Sequence, residues 1–287
     1  MALIKMLAGN WCAAVHFLRR FPMKYNLRQN TRSPVNNSTS IPSLSPEQVT
    51  FYNENGFVIL EPAFAASELD ALRRAADELL AQSGPVLPDN PRLQIESEQI
   101  DAQPVVRKIE PIIDVVPALG DLVYDRRMTG PVAQIFGEEV FLFEDKLNYK
   151  PPFIGSHYPL HQDYAYWQEY ADRLVTVTLL LDDATAENGC LRFVPGSHKQ
   201  GLMPRDDDHP RHIQEGIDDP SISVDAPGLA GSLVIFSCYT AHHSFPNRTD
   251  TGRRAILYTY NPAIDGDTYP IYMNRHTQRC LDWLSLQ

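Results

Sequence analysis

The chain has 287 residues, 43% of them hydrophobic and 21% charged, with a formal net charge of -11. That composition supplies enough apolar material for a sizeable core and excludes general disorder. Six basic residues and no acidic one precede Glu47, so the body of the chain is more acidic than the total suggests. Such a surface repels a phosphate backbone, and no basic stripe with interleaved aromatics offsets it, which argues against nucleic acid as a partner.

Residues 1–44 are basic, acid-free and rich in Ser and Asn, and are expected to be a tail, leader or disordered segment ahead of a single domain spanning 45–287. Within them the most apolar stretch, Met6 to Leu18, is broken by Asn10 and His16 and is too short for a membrane span. The cysteines Cys12, Cys190, Cys238 and Cys280 are widely separated and contain no C-x-x-C pair. They offer neither a zinc ribbon nor a disulfide framework and fit a reducing compartment. The expected location is cytoplasmic, or an organelle if residues 1–44 are a transit peptide.

Ser45-Pro46-Glu47-Gln48 combines a capping residue, a proline at the first helical position and a glutamine three residues on, which predicts a helix ending near Gly56. Phe57–Leu60 reads as a strand. From Ser67 a second helix places Leu69, Leu72, Ala76, Leu79 and Leu80 on one face, with Gly84 as its stop. Residues 85–104 are polar and proline-containing and read as a loop. From Val140 onward, short apolar or alternating runs recur at Val140–Phe143, Leu174–Leu181, Cys190–Val194, Ser232–Ser237 and Ala255–Tyr260. Turn residues such as Glu187-Asn188-Gly189 and Pro195-Gly196-Ser197 separate them. This rhythm predicts a mainly β fold with flanking helices, a jelly roll or double-stranded β-helix behind an N-terminal helical portion.

His161-Gln162-Asp163 carries the first chemical signal. On an extended segment residues two apart share a face, so an imidazole and a carboxylate would point together. A third ligand from a distant strand would complete a facial triad with three adjacent positions open for a bidentate cosubstrate and dioxygen. An H-x-D alone is weak evidence, and its context decides. His242-His243-Ser244-Phe245-Pro246-Asn247 follows an apolar strand, with His242 and His243 competing as third ligand. Arg253, with Arg254 as its rival, lies at the start of the next strand, where a guanidinium can pair with the distal carboxylate of a 2-oxo diacid.

These motifs together resemble the phytanoyl-CoA dioxygenase family of non-haem iron oxygenases, from about Ser45 to Tyr260. The strongest pieces are Leu160-His161-Gln162-Asp163, Glu187-Asn188-Gly189-Cys190-Leu191 leading into Pro195-Gly196-Ser197-His198, and His242-x-Ser244-x-x-Asn247 followed by Arg253-Arg254-Ala255. The resemblance implies an enzyme, an Fe(II)- and 2-oxoglutarate-dependent dioxygenase that uses O2 to hydroxylate a small organic molecule and releases succinate and CO2. It assigns the metal to His161, Asp163 and His242, and the 2-oxoglutarate to Arg253, Ser244, Lys108 and Lys146. Lys146 stands where a methionine is common and Leu179 where a tryptophan is common, both in the cosubstrate region. Asp163 is intact, whereas halogenating relatives replace it with a small residue, so hydroxylation is implied. Two other readings are a jelly-roll metalloprotein that does not use 2-oxoglutarate, as an isomerase or cofactor-independent dioxygenase, and a catalytically silent binding protein. The sequence points to a small-molecule substrate without naming it, and it does not indicate an oligomeric state.

Overall fold

The computed structural model describes residues 43–284, apart from 85, 87–89, 101, 208, 210 and 214–219. The expected tail, but for its last two residues, and Cys12 lie outside the described residues. Helix α1 (Pro46–Asn55) begins as the sequence predicts: Ser45 accepts from the Gln48 amide, Gln48 returns the bond, and Gly56 ends the helix in the left-handed region at φ 84°. Strand β1 (Phe57–Leu60) and helix α2 (Ala66–Gln82) follow, the latter burying Leu69, Leu72, Ala76 and Leu79.

The predicted loop over 85–104 is in large part a strand. Leu93–Ile100 forms β2, which pairs with β3 (Gln103–Ile109) at the edge of a sheet. Main-chain pairing at an edge needs little apolar surface, so a segment as polar as Gln94, Glu96, Glu98 and Gln99 still forms a strand. Helices α3 (Pro117–Leu122) and α4 (Arg126–Phe136) lead to β4 (Val140–Lys150), and β5 (Tyr158–His161) runs into a single helical turn, α5 (Tyr164–Trp167). Then come β6 (Val175–Leu180), β7 (Leu191–Phe193), β8 (Val224–Ala226), β9 (Leu233–Ser237), β10 (His242–Ser244), β11 (Arg253–Pro262) and the terminal helix α6 (Tyr269–Leu284).

Two antiparallel sheets face each other. The larger has the order β1-β9-β6-β11-β4-β3-β2 and the smaller β5-β10-β7-β8. Side-chain alternation sorts the larger sheet cleanly. Val177, Leu179, Ile235, Ile256 and Tyr258 face the helices and join the main core, whereas Leu180, Val234, Phe236, Ala255 and Leu257 face the smaller sheet. The inter-sheet core is pinned by Phe193, which stacks on Phe57 at 4.5 Å and meets Phe236 at 5.1 Å. The outer layer is fastened by polar bonds: the Tyr258 and Tyr260 hydroxyls each donate to a carbonyl, of Leu119 and Val123, at 2.7 Å. The two layers wrapped in helices are the jelly-roll arrangement the sequence predicts. No helix among the described residues is long and apolar enough to cross a membrane.

Candidate active site

A cavity of about 720 Å³ opens between the sheets, where the inner face of β4 and β11 diverges from β5 and β10. On β4, Glu144, Lys146, Asn148 and Lys150 occupy alternate positions and all line this cavity, while the intervening Leu147 is in the core. Polar side chains at every second position of an otherwise buried strand mark the wall of a site.

His161 is the last residue of β5 and His242 the first of β10, and the two are direct cross-strand partners. The ring-nitrogen and carboxylate atoms of His161, Asp163 and His242 all lie within 4.8 Å of one another. Asp163 Oδ1 is 3.6 Å from His161 Nε2 and 3.9 Å from His242 Nε2. The Nδ1–H of His161 donates to the Pro159 carbonyl at 2.7 Å, and that of His242 to the Thr240 carbonyl at 2.9 Å. A carbonyl can only accept, so both Nε2 lone pairs are left facing Asp163, the tautomer and aim a metal-binding histidine needs. The donor set of two imidazoles and one carboxylate on one side suits a ferrous ion with open positions.

Asp163 reaches this place differently from the sequence expectation. It is not on an extended segment: its backbone is α-helical (φ -56°, ψ -34°) at the head of α5. The chain turns at Gln162, whose buried amide donates to the carbonyls of Gly201 and Tyr239 and accepts from the Met203 amide. Gln162 thus fixes the bend that brings the carboxylate back beside His161. Burial alone would raise the Asp163 pKa, but the attraction of His242, the contact with His161 and the charge of Lys146 outweigh it and hold it well below the usual carboxylate range. Burial, then repulsion from His161, pushes His242 down to about 4, leaving a neutral imidazole at physiological pH. His243 faces away from the triad and its Nε2 bonds the Ser223 hydroxyl at 2.9 Å.

Arg253 begins β11 and is buried within the same cavity. One terminal nitrogen donates to the Gly189 carbonyl at 2.7 Å, while its Nε has no partner among the described residues. A buried guanidinium held on one side and unsatisfied on another is poised for a carboxylate. Gly189 adopts φ +76°, and a Cβ there would strike the Phe245 carbonyl. Arg254 turns outward to Asp182 and Asp77 instead. Ser244, two residues past His242, also lines the cavity. Asn247 donates to the carbonyls of Lys150, Pro151 and Thr251, tying the β10–β11 connection to the end of β4 and so seating Arg253.

Lys108 and Lys146 line the cavity as well, but in a second cluster. Lys108 is ion-paired with Glu110, and Lys146 with Glu144 at 2.7 Å. The Tyr272 hydroxyl of α6 lies 3.2 Å from Glu110 and 2.9 Å from Glu144, and His276 lies 3.5 Å from Glu110. Lys146 opposes Leu257 across the sheet, whereas Arg253 opposes Lys150, which separates the two clusters by roughly 13 Å along the strand. Leu179 lies outside the cavity: it is buried in the helix-side core, and its neighbour Thr178 takes the cavity-facing place. Sequence reasoning missed Lys150, Glu144, Glu110, Tyr272 and His276. The alternation along β4 was a signal for the first two; nothing local marks the α6 residues.

A search of known proteins matches residues 52–255 to the phytanoyl-CoA dioxygenase family. An ectoine dioxygenase from Bordetella bronchiseptica is 31% identical over 242 residues, covering 76% of each chain. A methylphosphonate hydroxylase from Gimesia maris is 29% identical, over 78% of this chain and 84% of its own. Among solved structures, EctD from S. alaskensis with 2-oxoglutarate and 5-hydroxyectoine superposes with a TM-score of 0.65 at 25% identity, covering 80% of both chains. The fold, the ordered motifs and these matches agree: the chain belongs to the phytanoyl-CoA dioxygenase family of non-haem iron, 2-oxoglutarate-dependent oxygenases.

Proposed function

We propose that this iron- and 2-oxoglutarate-dependent dioxygenase hydroxylates a small polar organic molecule, coupling that oxidation by O2 to conversion of 2-oxoglutarate into succinate and CO2. The observation that carries the reading is the convergence, in one cavity, of three oriented ligand atoms with a buried guanidinium whose Nε lacks a partner among the described residues. His161, Asp163 and His242 would hold the ferrous ion, and Arg253 with Ser244 would hold the distal carboxylate of 2-oxoglutarate. The metal and its cosubstrate supply the activation of dioxygen; the protein supplies orientation and a dry pocket. Lys108 and Lys146 would stand on the metal side of the cosubstrate rather than beside Arg253. Their ion pairs with Glu110 and Glu144 make that wall polar, which favours a small polar substrate over a long acyl chain, since an apolar chain would leave buried ammonium groups unsolvated.

Anaerobic titration of the purified protein with Fe(II) and 2-oxoglutarate tests this reading. A weak visible charge-transfer band is expected, lost in Asp163→Ala and weakened in Arg253→Ala. A folded, metal-loaded protein with no band and no 2-oxoglutarate binding would overturn it.

A further inference from the structure

Helix α6 lies beyond residue 255, where the family match ends, yet Tyr272, His276, Arg279 and Cys280 line the same cavity as the metal triad. Their spacing puts all four on one side of a helix, so one face of α6 is a wall of the site. The helix is fastened to the segment that follows Asp163. Arg275 pairs with Glu169 at 3.1 Å and lies over the Tyr170 ring, and Tyr272 meets the rings of Tyr170 and Phe143 at 5.3 and 4.5 Å. Arg253 stands at the far end of β4, opposite Lys150. A 2-oxoglutarate anchored there and at the metal would leave the α6 wall to the second reactant.

Charge selects nothing at this wall. Glu110 and Glu144 are matched by Lys108 and Lys146 in ion pairs, and the Tyr272 hydroxyl spends its proton between the two carboxylates. His276 is different. Its Nδ1 lies 3.5 Å from a Glu110 oxygen, and a carboxylate can only accept, so the ring proton belongs on that side. Burial pushes its pKa down against the pull of Glu110, so the imidazole is neutral at physiological pH and Nε2 is left as a lone pair. Among the described residues the hydrogen-bonding neighbour of Nε2 is the Cys280 thiol at 3.6 Å, a weak donor that also lines the cavity. A largely buried acceptor with no more than a thiol to satisfy it calls for a donor from a ligand. We infer that the cavity face of α6 is the primary-substrate wall and that His276 Nε2 accepts a hydrogen bond from an uncharged hydroxyl or amide N–H of the substrate. His276 is thereby a specificity-determining residue. The inference rests on the dioxygenase reading and deepens it: the family-matched strands would hold iron and 2-oxoglutarate, and the helix beyond them would choose among molecules.

The test is calorimetric titration of the anaerobic Fe(II)–2-oxoglutarate complex of the full chain with matched pairs: short diols against their methyl ethers, and short primary amides against their N,N-dimethyl forms. With 2-oxoglutarate saturating, the Arg253 end is filled and the α6 end is open. The donor-bearing member of each pair is expected to bind roughly fivefold tighter, the worth of one neutral hydrogen bond. That preference should vanish in His276→Phe, which keeps a ring beside Tyr272 but carries no acceptor, and return in His276→Gln, whose side-chain carbonyl accepts. The 2-oxoglutarate dissociation constant, read from the charge-transfer band, should be the same in both variants as in the unaltered protein, which also shows that they fold. Equal binding within the pairs, a preference that survives in His276→Phe, no binding of any probe at millimolar concentration, or weakened 2-oxoglutarate binding in His276→Phe would each overturn the inference. Failure of the Fe(II)–2-oxoglutarate complex to form in the unaltered protein would instead overturn the dioxygenase reading beneath it.

Discussion

The two ends of the cavity are built on opposite plans. At one end Arg253 and Lys150 are anchored to main chain: Arg253 to the Gly189 carbonyl, and Lys150 to the carbonyls of Ser156 and Phe245 at 2.8 and 2.6 Å. At the other end Lys108, Lys146, Glu110, Glu144, Tyr272 and His276 are held by one another, side chain to side chain, across β3, β4 and α6. Anchoring to backbone makes a geometry that survives any change of neighbouring side chains, and suits a part that always receives the same molecule. A network of side chains can be rewritten by a few substitutions without moving a strand. On the proposed function, the first end would hold what every turnover shares and the second would be where specificity is open to change.

The sharpest way to break the comparison is Arg253→Met. Removing the buried cation should raise the KM for 2-oxoglutarate by about 100-fold, in line with ~2–4 kcal/mol for a buried charge-assisted pair, and leave metal binding intact. Steady-state succinate release and Fe(II) titration measure both.

Asp145→Ala tests whether the other end depends on the helix behind it. The Asp145 carboxylate accepts from the amides of Ile112 and Ile113 and from the Tyr269 hydroxyl at the start of α6. Its loss leaves buried donors unsatisfied and should cost about 2–3 kcal/mol in urea unfolding. Substrate affinity should fall more than 2-oxoglutarate affinity.

A gentler probe is Tyr272→Phe, which removes only the hydroxyl that bridges Glu110 and Glu144. It should lower substrate affinity about fivefold, ~1 kcal/mol, with the 2-oxoglutarate charge-transfer titration unmoved.

The smallest effect concerns pH. Burial first, then the charges of Arg253 and Arg107, against the weaker pull of Glu96, push the Lys150 amine down to about 7. Lys150 is therefore a cation below about pH 7 and a neutral amine above it, and a bound dianion favours the cation. The 2-oxoglutarate affinity should be level below pH 7 and weaken a few-fold as pH rises above it, at saturating Fe(II). Lys150→Met should bind more weakly with no such slope. A slope that persists in the variant would place the titration elsewhere.

Much of this was legible in the sequence because the relevant signals are local. The capping box at Ser45 and the left-handed Gly56 bracket α1, and the apolar runs after Val140 mark β4, β6, β9 and β11 of the larger sheet and β7 of the smaller. The triad was legible as well, since His161, Asp163 and His242 sit in motifs with fixed neighbours. What was not legible depends on tertiary pairing. The polar β2 is a strand only because β3 offers it an edge. Asp163 turns inward only because Gln162 finds the carbonyls of Gly201 and Tyr239. Tyr272 and His276 join the site only because α6 folds back over β4, and no spacing in the chain announces that return.

The register of His161 opposite His242 has a consequence outside chemistry. β5 is the last strand of the smaller sheet, four residues long, with a strand partner on one side only and a single bond from the Ile213 amide to the Leu160 carbonyl at 3.0 Å on the other, so it is weakly held. An ion shared by His161, Asp163 and His242 rivets that strand's final residue to its neighbour and to the turn that follows. Binding to the native state alone also adds to stability. Iron starvation would then do more than silence the enzyme: it would leave a chain that unzips from this corner and is cleared sooner by proteases.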